Sequence, residues 1–447
     1  MTEMLIVNRL CVNNFPTYIV GGHVRDMFLD RESHDIDIAT LATPDQIIEL
    51  FKDCKIKTVG KSFNVVLVDD IEVATFRSEI CNGLSDKNIK VEYAKSIVDD
   101  LSRRDLTINS IAYCIITGEI IDPFNGQNDI KNKMIRFTGD PERRIMEDPN
   151  RIIRACRFKA LIDGEFDPDT KEALVKYAHL LMEFVDKDRI KLEIVKCLSS
   201  VKRSSLFFNA LREIDALQYI FPSLDLTYDY NVKEDHGKYH GESILEHSLM
   251  CGDNLSTRKP LLKLAGYLHD VGKPLTCKLV DDNMCFRKHE DVGECYSEID
   301  LRKNGFSNKE VSYISSLVGL HMRSFKTPKA VRKTLVKLDS LNINWKDLFQ
   351  LKMADSEANL RNTSGYKKET VKEVCLRIFS ELYVKQHRVN QFADLNIDGK
   401  EIMEILDIPP GNTVGQIKNW LFEIVLDCPS LNDNVQLRKI VKSGRII

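Results

Sequence analysis

The stretch YIVGGHVRDMFLDRESHDIDIAT, Tyr18 to Thr40, decides how the rest of the chain is read. It begins as a short apolar strand and ends in a Gly21-Gly22 turn. A helical segment carrying Arg25 follows, and then a strand with alternating polar and apolar residues, Asp35-Ile36-Asp37-Ile38. Side chains alternate across a strand, so Asp35 and Asp37 share one face while Ile36 and Ile38 share the other. Carboxylates that close repel unless a cation lies between them. Magnesium is the hard, oxygen-preferring ion that suits this role beside nucleotide phosphates. The glycines allow an anion to approach the backbone at a helix N-terminus, and Arg25 adds a forked donor there. Asp-x-Asp alone is most often a solvated turn. In this order and spacing the set points to transfer of a nucleotidyl group.

Working outward, FNVVLV and IEVATF read as strands split by an Asp69-Asp70 turn, and Thr117-Gly118 marks another hairpin. A small mixed sheet with covering helices is expected up to about residue 125. Helices are expected over Ala155–Leu161, Lys171–Val185, Arg189–Ser199 and Leu206–Ile220, with Pro222 closing the run and Asp225–Lys238 as a linker. A second helical block runs to about Asn359. A last block ends at Ile447, in which DIPPGNTVGQI is a turn followed by a helix start.

The bulk numbers fit this picture. The chain has 447 residues, a soft prior for about three domains. It is 43% hydrophobic and 29% charged, a folded rather than a disordered composition. No secretion signal and no membrane span are read from it. The 12 cysteines include no Cys-x-x-Cys pair, so reduced thiols in the cytoplasm are expected. With 64 Lys and Arg against 67 acids, any phosphate-binding charge must be concentrated locally.

Glu147–Ala160, EDPNRIIRACRFKA, forms on a helix one stripe of Ile152, Ile153, Cys156 and Ala160. Arg151, Arg154 and Arg157 fall on the opposite side, where they would present three guanidiniums. Asp148 before Pro149 also suits a helix N-terminus.

GGHVRD, HDIDIAT, RRDLTINSIAY and DPFNG together resemble the class II tRNA nucleotidyltransferase and bacterial poly(A) polymerase family, whose heads are polymerase-beta-like. The resemblance covers nearly the whole chain. It implies an α+β fold: a five-stranded head over 1–125, a helical neck and body over 126–225, an HD domain over 236–360 and a helical tail over 361–447. It implies that Asp35 and Asp37 hold catalytic magnesium and that Gly22, Arg25 and Arg104 contact the nucleotide. Arg154 and Arg157 would join them on phosphate and ribose. Asp148 and Arg151 match a protein template that reads the base, and Glu72 is a candidate third acid. The partners implied are CTP, ATP and the 3′ end of tRNA, with no membrane and no DNA.

DRIKLEIVK resembles a further helix motif of the family, with Asp188 where Glu is usual. An intrahelical pair of Arg189 with Glu193 is the expected reading there. A departure lies in SEICNGLSDKNIKVEY, where Lys87-Asn88 replaces a run of arginines. It puts the A-adding step in doubt and keeps CC addition, A addition and poly(A) synthesis as alternatives.

Six of the ten histidines lie between His236 and His321. His247, His269, Asp270 and Asp355 are expected to bind a divalent metal, with His289 and His321 nearby and His240 either a ligand or a linker residue. Their order resembles the HD-domain phosphohydrolases, which implies hydrolysis of 2′,3′-cyclic or terminal phosphate. An HD phosphohydrolase with a non-catalytic head and a non-catalytic RNA-binding protein are the readings from other classes.

Overall fold

The computed structural model describes residues 2–32, 36–59, 65–80, 90–229, 243–280, 283–359, 374, 377–378 and 394–443. The described chain falls into two units. The first is Met1–Asp225 with Lys303–Gly305, and the second is Leu226–Arg302 with Phe306–Ile447.

The first unit is built on a mixed sheet. Its strands are β1 (Thr17–Val20), β2 (Asp37–Thr40), β3 (Ile56–Val59), β4 (Val65–Val68), β5 (Ile71–Thr75), β8 (Ala112–Tyr113) and β9 (Ile120–Ile121), in the order β3-β4-β5-β2-β1-β8-β9. β2 and β5 are parallel and the other neighbours antiparallel. Among the described residues this sheet therefore has seven strands where five were expected. A separate pair, β6 (Arg77–Ile80) with β7 (Lys90–Tyr93), brackets residues 81–89, among them Lys87 and Asn88, which lie outside the described residues.

Period-two alternation buries both faces of the sheet. Ile38, Val66, Val68 and Val73 pack with Ile6, Val7 and Leu10 of α1 (Glu3–Val12) and with Ile47 of α3 (Pro44–Leu50). Ile36 joins the same core, so Ile36 and Ile38 share a face as expected. Val20, Ala39 and Ala112 face the other way, onto Ile97 and Leu101 of α4 (Ile97–Ser102). The β4–β5 turn has Asp69 at φ 49° and Asp70 at φ 67°. Two consecutive left-handed residues match the twist of a tight hairpin, and Asp tolerates them. α2 (Gly22–Phe28) follows β1, and α5 (Gly126–Lys131) follows β9.

Beyond α5 the chain is mostly helical: α6 (Pro141–Glu147), α7 (Asn150–Ile162), α8 (Pro168–Tyr177), α9 (Leu180–Phe184), α10 (Lys187–Ser200), α11 (Ser205–Glu213), α12 (Leu217–Ile220) and α13 (Pro222–Asp229). Strand signals do not vanish there, since β10 (Met134–Ile135) pairs with β11 (Glu165–Phe166) in parallel. Pro222 opens α13 rather than closing the helical run, so the expected linker begins as helix. Its missing N–H is tolerated at a first helical position, where no intrahelical acceptor exists. The rest of that linker, with His240 just beyond it, lies outside the described residues.

The second unit holds α14 (Ile244–Asn254), α15 (Pro260–Leu268), α16 (Lys273–Thr276), a β12–β13 hairpin (Lys278–Val280, Asn283–Cys285), α17 (His289–Lys303), α18 (Asn308–Leu320), α19 (Pro328–Ser340) and α20 (Trp345–Ala358). The last residue of α17 is counted with the first unit. Tail helices Gly399–Leu406, Asn412–Asp427 and Asn434–Lys442 share a core of Ile402, Ile417, Leu421, Val425, Leu437 and Val441. The expected turn and helix start fall at Gly411 and Asn412. No described helix is long and apolar enough to cross a membrane.

Candidate active site and metal cluster

Asp37 begins β2, is exposed, and pairs in register with Val20, the residue before the Gly21 turn. Gly21 has φ 74°, a conformation that L side chains resist. A Cβ there would lie 3.0 Å from Arg104 Nη1 and 3.4 Å from Asp37 Oδ2. The turn is thus a backbone floor between a carboxylate and a guanidinium. Asp35 lies outside the described residues. Ile38 pairs with Val73, so Glu72, one step earlier on β5, lies on the same sheet face as Asp37 and is also exposed.

The arginines of RRDLTIN are held rather than solvated. Asp100 Oδ2 accepts from Arg104 Nη2 at 3.1 Å, and Asp100 Oδ1 from Arg103 Nη2 at 2.8 Å. Burial would raise the Asp100 carboxyl, but Arg104 and Arg103 outweigh it and hold it below the usual range. Both arginines come at the end of α4 and lead into a 3-10 turn, Thr107–Asn109, so no helix begins at them. DPFNG braces that turn: Asp122 accepts from the N–H of Gly126 and Gln127, and Asp129 of α5 accepts from the Thr107 hydroxyl at 2.6 Å.

A buried polar chain continues from there. Arg25, 7% exposed, donates from Nη1 to Asn109 Oδ1 at 2.8 Å. Asn109 Nδ2 donates to Asp105 Oδ1 at 3.0 Å, and Asp105 Oδ2 accepts from Arg154 Nε at 2.8 Å and Nη2 at 2.6 Å. Arg157 then pairs with Glu193 of α10, and Arg154 Nη1 lies 3.5 Å from the same carboxylate. Burial opposes charge on Asp105, yet Arg154, Asn109 and the Leu106 N–H overcome it and keep the carboxyl well below its ordinary range. Arg25, Arg154 and Arg157 all lie over the Phe158 ring, at 4.9, 5.5 and 4.1 Å from its centroid. Phe158 was not singled out from the sequence; an aromatic directly after an arginine stripe is the signal that could have found it.

The arginine face of α7 is therefore packed, not open. The apolar stripe is buried as expected, but Arg151 is buried too, at 8% exposure. Its Nη1 donates to Glu147 Oε2 at 2.8 Å and to the Arg144 carbonyl, and its Nη2 to the Arg103 carbonyl at 3.1 Å. The expected Arg189–Glu193 pair is not made. Arg189 donates to both oxygens of Asp148, at 3.0 and 2.7 Å, because Glu193 is turned inward to the α7 arginines. Asp148 is the residue that follows α6 and accepts the Asn150 N–H at 3.2 Å, while Pro149, rather than Asp148 as expected, occupies the position just before α7.

In the second unit α14 and α15 approach closely: a Cβ on Gly266 would meet the Gly252 backbone at 3.1 Å. His247 on α14 and His269 at the end of α15 are thereby 5.2 Å apart, centroid to centroid. Asp355 of α20 is 2.9 Å from His247 Nε2. Asp270 Oδ2 lies 3.2 Å from His269 Nε2, and Asp270 Oδ1 lies 3.3 and 3.7 Å from Nε2 of His289 and His321. The four expected ligands converge, and His289 and His321 join them.

The Nδ1 atoms of His269, His289 and His321 donate to the carbonyls of Gly266, Phe286 and Val318. That fixes each tautomer and turns Nε2 inward. Among the described residues His269 Nε2 has no hydrogen-bond partner, and Nε2 of His289 and His321 face each other at 3.1 Å. Burial pushes His321 down to about 3, so it stays neutral. His247, His269 and Asp270 bring ligand atoms within 4.8 Å of one another, and so do Asp270, His289 and His321. Inward lone pairs and a shared carboxylate fit divalent metal, and imidazole with carboxylate suits the first-row transition ions. Lys273 Nζ, 2.5 Å from Asp270 Oδ2, was not singled out from the sequence.

A sheet-built head with an exposed strand-end carboxylate, arginine-rich neck helices and a histidine–aspartate cluster define a nucleotidyltransferase-type head joined to an HD domain. Comparison with known proteins agrees. Residues 17–136 match the poly A polymerase head domain, 165–227 the probable RNA and SrmB-binding site of polymerase A, and 239–361 the HD domain. The chain is 38% identical over 200 residues to a CCA-adding enzyme of Enterococcus faecalis, covering 44% of this chain and 49% of that one. It is 27% identical over 434 residues to a CCA-adding enzyme of Bacillus subtilis, covering 95% and 94%. The E. faecalis match thus spans about half of that relative's length. The fold matches a Bacillus stearothermophilus CCA-adding enzyme in complex with CTP, with TM-score 0.67, 23% identity and coverage of 99% and 98%. The chain belongs to the poly(A) polymerase and CCA-adding nucleotidyltransferase family, in its form with an HD domain.

Proposed function

We propose that this protein adds C, C and A from CTP and ATP to the 3′ end of tRNA without a nucleic-acid template. The reading is supported most by the exposed Asp37 carboxylate beside the Gly21 turn, with Arg104 on the turn's other side. Asp35 and Asp37 would hold two magnesium ions; an all-oxygen donor set suits that ion. Bound there, magnesium lowers the cost of charge on the attacking and leaving oxygens. The terminal 3′ oxygen bonds to the α-phosphorus, the α–β phosphoanhydride bond breaks, pyrophosphate leaves, and the hydroxyl proton passes to solvent.

Gly22 and Arg25 would approach the phosphates, with Arg104, Arg154 and Arg157 contributing charge around phosphate and ribose. Asp148 and Arg151 would read the base edge. Residues 1–125 would form the catalytic head, 126–225 the neck and body, 236–360 the HD domain and 361–447 the tail. The helical parts would grip tRNA by shape and backbone through a local basic strip, in the cytoplasm. For the second unit, we propose metal-assisted hydrolysis of a 2′,3′-cyclic or terminal phosphate, supported by the inward lone pairs around Asp270.

The test offers the purified protein three tRNAs, ending before CCA, after C and after CC, each with CTP, ATP or both. Sequenced ends complete to CCA are expected. Stalling after CC would give the CC-adding reading, runs of A the poly(A) reading, and no incorporation on any substrate would end the proposal.

A further inference from the structure

Helix α10 turns two charged side chains, Arg189 and Glu193, toward α7 and the turn before it, one helical turn apart. Glu193 holds Arg157 and Arg154. Arg189 holds Asp148, with both arms of its fork. This second pair is not a stability device. Its side chains are 46% and 32% exposed, and ion pairs open to water contribute little.

What the pair controls is the set of lone pairs left on Asp148. A carboxylate offers about four acceptor positions. Oδ1 accepts from Arg189 Nη1 at 3.0 Å and from the Asn150 N–H at 3.2 Å. Among the described residues, Oδ2 accepts from Arg189 Nη2 alone, at 2.7 Å. One acceptor position remains, on Oδ2, and the planar fork fixes where it points.

We infer that Arg189 is a positioning residue for base selection, aiming the last Asp148 lone pair at the incoming nucleotide. The inference rests on the reading of Asp148 as a base-contacting group. A single fixed acceptor takes an amino N–H, as cytosine and adenine present. It turns away the carbonyl oxygen of uracil or guanine, because two facing acceptors leave a polar atom unpaired. Without Arg189 the carboxylate turns about its side-chain bonds and offers either oxygen. A lysine, a point charge on a flexible stem, cannot hold both oxygens.

The test measures kcat/KM for CTP, ATP, UTP and GTP on tRNA ending before CCA and after CC. It uses the full chain and its Arg189→Ala, Arg189→Lys and Asp148→Ala forms, with thermal melting alongside. Arg189→Ala is expected to lower the CTP-over-UTP ratio by about tenfold at an unchanged melting midpoint, and Arg189→Lys to recover only part. An equal loss for all four nucleotides, or an unchanged ratio while Asp148→Ala lowers it, overturns the inference and leaves the Asp148 reading standing. An unchanged ratio in Asp148→Ala as well overturns both. So does failure of the unaltered protein to incorporate CTP.

Discussion

Asp105 and Asp270 are both buried carboxylates, one in each unit, and their surroundings differ in kind. Asp105 accepts four N–H donors: the Leu106 backbone and Asn109 on one oxygen, and two arms of Arg154 on the other. Its counter-charge is a guanidinium, permanent and covalently part of the chain. Asp270 faces Lys273 and a ring of imidazole nitrogens whose other nitrogens already donate to carbonyls. Beyond Lys273, the inward imidazole nitrogens offer room for an exchangeable counter-charge, a proton or a metal ion. Burial opposes charge on His269, yet Asp270 outweighs it and draws the ring toward its cationic form. One network is complete as folded, and the other keeps inward donor atoms that could take a ligand from solution.

The largest effects separate the two units. Asp37→Ala is expected to lower CTP incorporation by about a thousandfold or more, measured with labelled nucleotide, without changing the metal content of the second unit. Retained incorporation would remove Asp37 from the chemistry. His269→Ala, by contrast, is expected to abolish metal uptake, read by elemental analysis after dialysis against manganese or nickel. Incorporation should stay within about twofold, since the centres are in separate units. Equal metal content in variant and parent would break the comparison.

How much of this was legible depends on whether the signal was local. The Gly-Gly turn, the alternation around Asp37 and the Asp69-Asp70 hairpin are set by neighbours a few residues apart, and all appear where expected. The histidine–aspartate cluster of the second unit was legible as residue types, because few roles gather so many histidines with Asp270 and Asp355. The arginine stripe misled for the converse reason. Periodicity shows that Arg151, Arg154 and Arg157 share a side of α7, but not that Glu147, Asp105 and Glu193 wait on that side. Asp105 is 49 residues from Arg154, and Glu193 is 36 from Arg157. Partners that distant are chosen by packing, which no local pattern records. The Arg189–Glu193 spacing likewise allowed a pair that the fold gives to others.

A smaller effect tests the completed network. Asp105→Asn keeps the shape and removes the charge, leaving Arg154, among the described residues, with Glu193 at 3.5 Å as its carboxylate partner. A loss of about 3 kcal/mol is expected in urea unfolding at pH 7. The pH dependence has a definite sign. The folded Asp105 carboxyl titrates below its unfolded value of about 3.9, so its contribution is complete above that value. It is lost as pH falls toward the folded pKa. The gap between parent and variant should therefore be constant from pH 7 to about pH 5 and shrink at pH 3. A gap that ignores acid would mean that shape rather than charge holds the loop.

The smallest effect comes from a carboxylate that is paired but not enclosed. Asp70 accepts from Lys55 and Lys57, both at 2.9 Å, and they draw its carboxyl down to about 2. By the direction of its pKa alone it resembles Asp105. Water screens this pair, however, and the two lysines lose little by turning outward. Asn also tolerates the left-handed backbone that position 70 requires, at φ 67°. Asp70→Asn should thus leave the melting midpoint within about 1 °C of the parent, with the small remaining difference vanishing in high salt. A shift approaching that of Asp105→Asn would mean that charge pairing, not enclosure, distinguishes the completed network from the rest of the surface.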